Sequence, residues 1–209
     1  MSTSRRDFLK SGALAVTGLA FMPQYLFAEK FKKEKILGLQ LYTVRDDMHK
    51  DPAGTLKQIS AIGYQYVEHA GYANRKFYGY AAKEFRKLLD SLNLKMVSGH
   101  VSFGLKDWDF AKKDFTDEWK YTVDDALVAG QKFIINPWMD ESVRKEQDTL
   151  MKLLELFNRC GTYCKKRGLQ FGYHNHDFEF NTFFNKKRLY DIILANTNPS
   201  LVAQQLDIG

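Results

Sequence analysis

The chain has 209 residues, of which 44% are hydrophobic and 27% charged, and its formal net charge is +6. These values are typical of one globular domain with a substantial buried core. Its lysines alternate with acids along predicted helices, whereas a nucleic-acid groove needs a dense basic stripe with stacking aromatics, so nucleic acid is not an expected partner.

Residues 1–28 have the pattern of an export signal. Arg5 and Arg6 precede a small apolar run that ends near Met22. We interpret 1–28 as a twin-arginine signal peptide and expect a periplasmic protein that the twin-arginine export machinery carries across the membrane. The apolar run is short for a membrane span, but Leu26 disfavours cleavage after residue 28, so a retained membrane anchor stays open.

From residue 36 onward, short apolar runs alternate with amphipathic helical patterns. We predict strands at 36–42, 64–69, 94–101, 133–138, 169–174 and 201–207. We predict helices at 52–62, 81–92, 117–129, 143–167 and 187–195, and a loop at 103–116. Asp51 and Pro52 are a helix start, and Gly63 is a helix end. The alternation predicts parallel strands that are joined by right-handed crossovers.

Polar side chains follow nearly every predicted strand. They are Tyr42, Glu68, His69, His100, Asn136, His174, His176 and Asp207. Such a ring is typical of the C-terminal rim of a TIM barrel, where catalytic groups lie. A doubly wound sheet would carry a glycine-rich phosphate loop after its first strand, and 43–45 contain no glycine. The sequence therefore predicts an α/β fold, a (β/α)8 TIM barrel with about six of its eight βα units in these residues.

The end of the fifth strand concentrates the polar chemistry. His174 and His176 are two residues apart, so on a continuing strand their side chains share a face. Glu179 follows in the loop and is close enough to turn back toward that face. Two imidazoles and a carboxylate make half of a divalent-metal or acid–base site. The structural alternative is a strand end whose polar groups are only solvated.

Five segments together resemble the xylose isomerase-like TIM-barrel family of sugar-phosphate isomerases and epimerases, most closely its exported members. They are LGLQLYTVRDDM at 37–48, YVEHAGY at 66–72, SGHVSFG at 98–104, YHNHDFEF at 173–180 and VAQQLDIG at 202–209. The resemblance implies a barrel domain at 29–209 that is incomplete at its C-terminus, with roughly two βα units still to come.

The resemblance also implies one divalent metal at the rim, Mn²⁺ by preference, with Mg²⁺ or Zn²⁺ as alternatives. Asp207 matches the family's strand-six aspartate ligand. For the strand-five ligand we favour Glu179, and His174 is the competing assignment. The last two ligands are expected beyond Gly209, so the 209-residue chain by itself is expected to be inactive.

The function that follows is a metal-dependent sugar isomerase or epimerase that acts through an enediolate on a free sugar or keto-sugar. The candidates for binding hydroxyls or moving protons are Glu179, His176, His100 and Glu68. Each has a structural alternative: Glu68 pairs with a nearby cation, for example, and His100 is a hydrogen-bonded rim residue.

Other functions stay open at this point. A dehydratase or lyase on a keto-sugar or inosose-like substrate would use the same intermediate, and a non-catalytic carbohydrate-binding barrel would use none. A nuclease like the apurinic endonuclease of this superfamily needs more histidines than the five present. The sequence also leaves open whether the chain forms a homo-oligomer.

Overall fold

The computed structural model of the protein describes residues 37–208, and its centre is a six-stranded parallel sheet. The strands are β1 Gly38–Gln40, β2 Tyr66–His69, β3 Lys95–His100, β4 Phe133–Asn136, β5 Gln170–His174 and β6 Val202–Gln205. Each strand pairs with the next one along the chain, in parallel. The predicted strands and their parallel arrangement are confirmed, although each observed strand is shorter than predicted.

Eight α-helices connect these strands within the described residues. They are α1 Arg45–Lys50, α2 Pro52–Ile62, α3 Ala82–Ser91, α4 Asp117–Ala129, α5 Glu141–Lys145, α6 Gln147–Lys166, α7 Phe178–Asn181 and α8 Leu189–Asn196. The side chain of Asp51 accepts a hydrogen bond from the Gly54 amide at the start of α2. Gly63 ends α2 with φ 108°, which glycine adopts without a Cβ penalty.

Two predicted helices were wrong at their N-terminal ends. The helix predicted at 143–167 is α5 followed by α6, because Glu146 has extended backbone angles of φ −122° and ψ 111°. The helix predicted at 187–195 begins at Leu189, because Lys187–Arg188 pairs antiparallel with Phe183–Phe184. The hairpin forms here in place of the first helical residues, because its turn residues Asn185 and Lys186 adopt positive φ.

Hairpins also occupy the loops after β2 and β3. The segment predicted as a loop at 103–116 contains a 3₁₀ turn at Leu105–Asp107 and a hairpin that pairs Trp108–Asp109 with Asp114–Phe115. After β2, a three-stranded antiparallel sheet covers residues 72–81, which the sequence pattern did not predict.

Strand register decides which side chains share the inner face of the sheet. Gln40 pairs with Glu68, and Glu68 pairs with Ser98 after a bulge between Val67 and Glu68. His174 pairs with Gln205. Because paired residues of neighbouring strands point to the same side, these polar side chains form one row at the carboxyl ends of the strands. The apolar core fills the opposite face, between the sheet and the helices.

The signal-peptide and export predictions fall on residues 1–28, which lie outside the described part of the chain. Within residues 37–208, no helix combines the length and the apolar character that crossing a bilayer requires.

Candidate functional site

Glu68, at the end of β2, is the centre of a dense hydrogen-bond network. Its Oε1 accepts from the Gln40 amide at 2.6 Å and lies 3.2 Å from Nε2 of His100. Its Oε2 accepts from the Ser98 hydroxyl at 2.5 Å and from the Gln205 amide at 2.8 Å. Four donors therefore occupy the four acceptor sites that a carboxylate offers.

These donors control the charge of Glu68. Burial by itself would raise the pKa of this carboxyl group, but the hydrogen bonds from His100 and Ser98 and the positive charge of His100 outweigh burial and lower the pKa to about 2. Glu68 is therefore an anionic acceptor over the whole physiological pH range. All of its lone pairs face these four groups, so Glu68 is placed to hold its neighbours in position rather than to bind an additional partner.

Two more predicted residues extend the row from Glu68 across the sheet. The rings of His100 and His174 meet with centroids 4.9 Å apart, and Nε2 of His174 lies 3.5 Å from Oδ2 of Asp207. Burial, followed by the positive charges of His100 and His176, lowers the pKa of His174. His174 is consequently held toward its neutral form, which is the form that ligates metals or accepts a proton.

His176 lies beside this row and against an aromatic shelf. The centroid of its ring is 4.9 Å from that of His174. The ring stacks on Phe178 at a centroid distance of 5.5 Å and meets Trp138 edge-on at 5.3 Å. Trp138 is 45% exposed, so this shelf faces solvent. The guanidinium of Arg144 covers the Phe178 ring at 3.8 Å.

Glu179 takes a different position from the one we expected. It is fully buried, and its two oxygens accept from the Tyr173 hydroxyl and from the His176 backbone amide. Tyr173 precedes His174 on β5 and so points to the helix side of the sheet. Burial raises the pKa of Glu179, although the two hydrogen bonds oppose this. Glu179 thus fixes the loop that carries His176, and it does not join the inner row.

Two residues of the predicted rim also lie on the helix side. His69 is fully buried, its ring meets Phe77 edge-on with centroids 4.8 Å apart, and neither ring nitrogen has a hydrogen-bond partner among residues 37–208. Asn136 is buried as well, and its Oδ1 accepts from the Phe103 amide. Strand alternation explains both positions, because His69 follows the inward Glu68 and cannot share its face. The expectation that they line the rim was wrong.

Similarity to known proteins agrees with this arrangement. The family model of the xylose isomerase-like TIM barrel matches residues 56–209. This chain belongs to that family. No protein of curated function matches the sequence significantly.

Two solved structures are similar to this chain over most of its length. Both are described as sugar phosphate isomerase/epimerase from Parabacteroides distasonis ATCC 8503, with 28% and 26% identity and TM-scores of 0.68 and 0.67. Each match covers 82% of this chain, and 68% and 65% of the respective relative. A D-allulose 3-epimerase from Methylomonas sp. shares the fold at 13% identity and a TM-score of 0.54, covering 82% of this chain and 62% of that one.

Family membership raises the question of whether the site suits a metal. His174 and Asp207 supply an imidazole and a carboxylate 3.5 Å apart, a spacing at which two ligands can share one ion. Nδ1 of His174 is buried without a hydrogen-bond partner among residues 37–208, so it lacks the second-shell acceptor that a metal-ligating histidine normally has. Across residues 37–208, no three His, Cys, Asp or Glu side chains converge closely enough to hold an ion by themselves. The donors present fit a divalent cation but do not complete its shell.

Sequence reasoning missed four polar residues of the site. They are Gln40, Ser98, Asn175 and Gln205. Three of them lie in register with predicted residues on neighbouring strands, so a strand alignment would have found them. Asn175 exchanges two hydrogen bonds with the Asp207 backbone, at 3.0 and 3.1 Å, and so joins the ends of β5 and β6. Only the tertiary structure brings that pair together.

Proposed function

We propose that the protein is a sugar isomerase or epimerase that moves a proton at the carbon next to a carbonyl, through an enediolate. The observation that carries this proposal is the continuous row of Glu68, His100, His174 and Asp207. Three of these side chains lie on β2, β3 and β5, and Asp207 follows the end of β6, so the row lies at the carboxyl ends of the strands. Oε1 of Glu68 is 3.2 Å from Nε2 of His100, the rings of His100 and His174 have centroids 4.9 Å apart, and Nε2 of His174 is 3.5 Å from Oδ2 of Asp207. In TIM barrels this rim is where catalysis takes place.

We further propose a divalent cation at this rim, Mn²⁺ by preference. When bound, such an ion would hold a carbonyl and the neighbouring hydroxyl of the sugar and would stabilise the negative charge that develops there. His174 and Asp207 are the proposed ligands. Glu179 becomes the alternative, because it would have to give up its bonds from Tyr173 and His176 before it could bind an ion.

The remaining side chains divide between proton transfer and positioning. His100 and His176 are the proposed proton carriers, since an imidazole ring can both accept and donate a proton and both rings adjoin His174. Glu68 orients His100. Trp138, exposed beside His176, offers an aromatic face to the apolar side of a sugar ring.

For the substrate we propose a neutral sugar or keto-sugar, although the two similar structures are named for sugar phosphates. The groups around Glu68 and His100 are glutamines and a serine, which suit hydroxyl groups. A phosphate would call for an arginine clamp or a cradle of backbone amides. Arg144, beside the Phe178 ring, is the side chain on which a preference for phosphorylated sugars would depend.

The test is proton exchange in D₂O with the full-length protein and Mn²⁺. Neutral aldoses, ketoses and keto-sugars would be compared with their phosphates, and NMR would follow loss of the C–H signal and formation of the isomer. We expect exchange with a neutral sugar, and about a 100-fold loss of rate or more in Asp207→Asn and His174→Gln. Asp90→Asn is the matched control, because Asp90 lies at the far end of α3 in an exposed pair with Arg86.

Each other result would change the proposal in a defined way. Exchange with sugar phosphates alone would refute the neutral substrate, and Arg144→Gln should then abolish it. Exchange followed by loss of water would identify a dehydratase or lyase. Sugar binding in calorimetry, without exchange, would identify a non-catalytic carbohydrate-binding barrel.

We also propose that residues 1–28 direct export by the twin-arginine machinery to the periplasm. Replacing Arg5 and Arg6 by lysine should retain the protein in the cytoplasmic fraction. A variant that is still exported would refute the twin-arginine route.

A further inference from the structure

The side chain of Asn175 extends the contact between β5 and β6 beyond the point where their backbone pairing ends. The last paired residues of the two strands are His174 and Gln205. Two residues after Gln205, the backbone amide of Asp207 donates to Oδ1 of Asn175 at 3.1 Å. Nδ2 of Asn175 donates in turn to the carbonyl of Asp207 at 3.0 Å. The side-chain amide therefore takes the place of a peptide group of β5.

This contact holds the Asp207 backbone in one way only. An N–H group donates and a carbonyl oxygen accepts, so a reversed Asn175 amide would face both backbone groups of Asp207 with the wrong atom. Asn175 is 2% exposed, and its surroundings therefore exclude water that would compete for the two bonds. Asp207 is thus held at two points by a buried group.

The side chain of Asp207 lies on the open side of this contact. It is 50% exposed, and its Oδ2 is 3.5 Å from Nε2 of His174. The position of a backbone determines where its Cβ points, so the Asn175 contact restricts where the Asp207 carboxylate can lie. A carboxylate that binds an ion depends on supporting groups of this kind, because small displacements of a ligand weaken a site.

We propose that Asn175 is a positioning residue of the rim, which holds the Asp207 backbone so that Asp207 and His174 present their donor atoms to one divalent cation. The inference rests on the proposed function for the identity of the ligand, whereas the placement of Asp207 by Asn175 does not depend on it. Both amide atoms of Asn175 are bonded to the Asp207 backbone, so Asn175 acts through Asp207 and is not itself a ligand.

A purely structural tie between β5 and β6 makes a different prediction from a positioning residue. Asn175→Asp keeps the shape of the side chain and an acceptor for the Asp207 amide, but it sets a second oxygen against the Asp207 carbonyl. Loss of a structural tie should lower the stability and leave the ion affinity of the folded protein unchanged. Loss of a positioning residue should lower the ion affinity of the folded protein as well.

The chain offers a matched control for this substitution in Asn136→Asp. Asn136 is also a buried asparagine at the end of a strand, and its Oδ1 accepts from the Phe103 amide. Its Nδ2 has no hydrogen-bond partner among residues 37–208, so the control removes no hydrogen bond that the structure describes. It reports the general effect of a carboxylate buried at a strand end. Asn175→Ser is a second test variant, which removes the two-point contact without adding a charge.

The measurement is a Mn²⁺ titration of the full-length protein, in which EPR detects the free ion and circular dichroism verifies folding. We expect Asn175→Asp and Asn175→Ser to raise the Kd for Mn²⁺ about 10- to 100-fold, as the loss of a group that orients a ligand does. Asn136→Asp should bind Mn²⁺ like wild type. Crystal structures should show the Asp207 carboxylate beside His174 in wild type and displaced from it in Asn175→Asp.

Several outcomes would overturn the inference. Unchanged Mn²⁺ affinity in a folded Asn175 variant does so, and so does an equal weakening in Asn136→Asp. If neither Asn175 variant folds, the wild-type crystal structure decides: an Asn175 amide turned away from Asp207 refutes the inference, and both bonds present with Asp207 on the ion support it.

Failure of the proposed function gives a different result. If wild type binds no Mn²⁺, the proposed metal is the part that fails, and the crystal structures then test the positioning by themselves. A carboxylate of Asp207 that stays beside His174 in Asn175→Asp would refute the positioning role, whereas a displaced carboxylate would support it.

Discussion

The buried His69 gives a quantitative prediction about acid stability. Its ring meets Phe77 edge-on and packs against Gly99, so a Cβ added to Gly99 would lie 1.8 Å from Nε2 of His69. Burial, followed by the positive charge of His100, lowers the pKa of His69 from 6.5 to about 3. The unfolded chain therefore binds a proton between these two values that the folded chain excludes, and the free energy of unfolding falls as the pH drops below 6.5.

The size of this effect follows from the shift. One pKa unit corresponds to about 1.4 kcal/mol, so at pH 5, which is 1.5 units below the unfolded value, His69 should cost about 2 kcal/mol of stability. The complete loss, reached near pH 3, would be on the order of 5 kcal/mol. Because neither ring nitrogen has a hydrogen bond within the described part of the chain, His69→Leu removes no hydrogen bond seen there, and its cost at pH 7 should stay below about 1.5 kcal/mol.

The assay is urea unfolding at pH 7 and pH 5 for wild type, His69→Leu and His49→Leu. Between the two pH values, wild type and His49→Leu should each lose about 2 kcal/mol more than His69→Leu. His49 is the control because its side chain is exposed on α1. The contribution of His174 is common to all three proteins and cancels in the difference. An equal pH dependence in wild type and His69→Leu would refute the assignment of acid sensitivity to this buried ring.

Three further predictions concern neighbouring contacts. Tyr173→Phe leaves the buried Glu179 with one donor fewer and should lower the free energy of unfolding by about 1–3 kcal/mol; a loss below about 0.5 kcal/mol would mean that the hydroxyl does not hold this carboxylate. Gly99→Ala should cost about 1–3 kcal/mol through overpacking against His69, and a double-mutant cycle with His69→Ala should recover most of it; additive costs would place the clash elsewhere. Asn175→Leu removes the acceptor of the Asp207 amide. Hydrogen exchange at that amide should accelerate about tenfold or more, since a lost hydrogen bond of about 1.4 kcal/mol has that effect, and unchanged protection would show that another group holds the end of β6.

The sequence determined the order and type of the main elements. Alternation of apolar runs with helical patterns placed all six strands, and Asp51, Pro52 and Gly63 marked the ends of α2. These signals are local, since caps and periodicity act within a few residues. It also drew attention to the rim, because polar residues at strand ends have a meaning in a parallel barrel that does not depend on their partners.

Only the tertiary structure decided which of those residues meet. Glu68 and Gln205 are 137 residues apart and yet hydrogen-bonded, and no local pattern encodes that contact. The faces of His69 and Glu179 were likewise undetermined: a shift of one residue in a strand, or one turn in a loop, moves a side chain from the inner row to the helix side. The local signals fixed the kind of groups that reach the strand ends, whereas strand register and loop conformation determined which of them share one site.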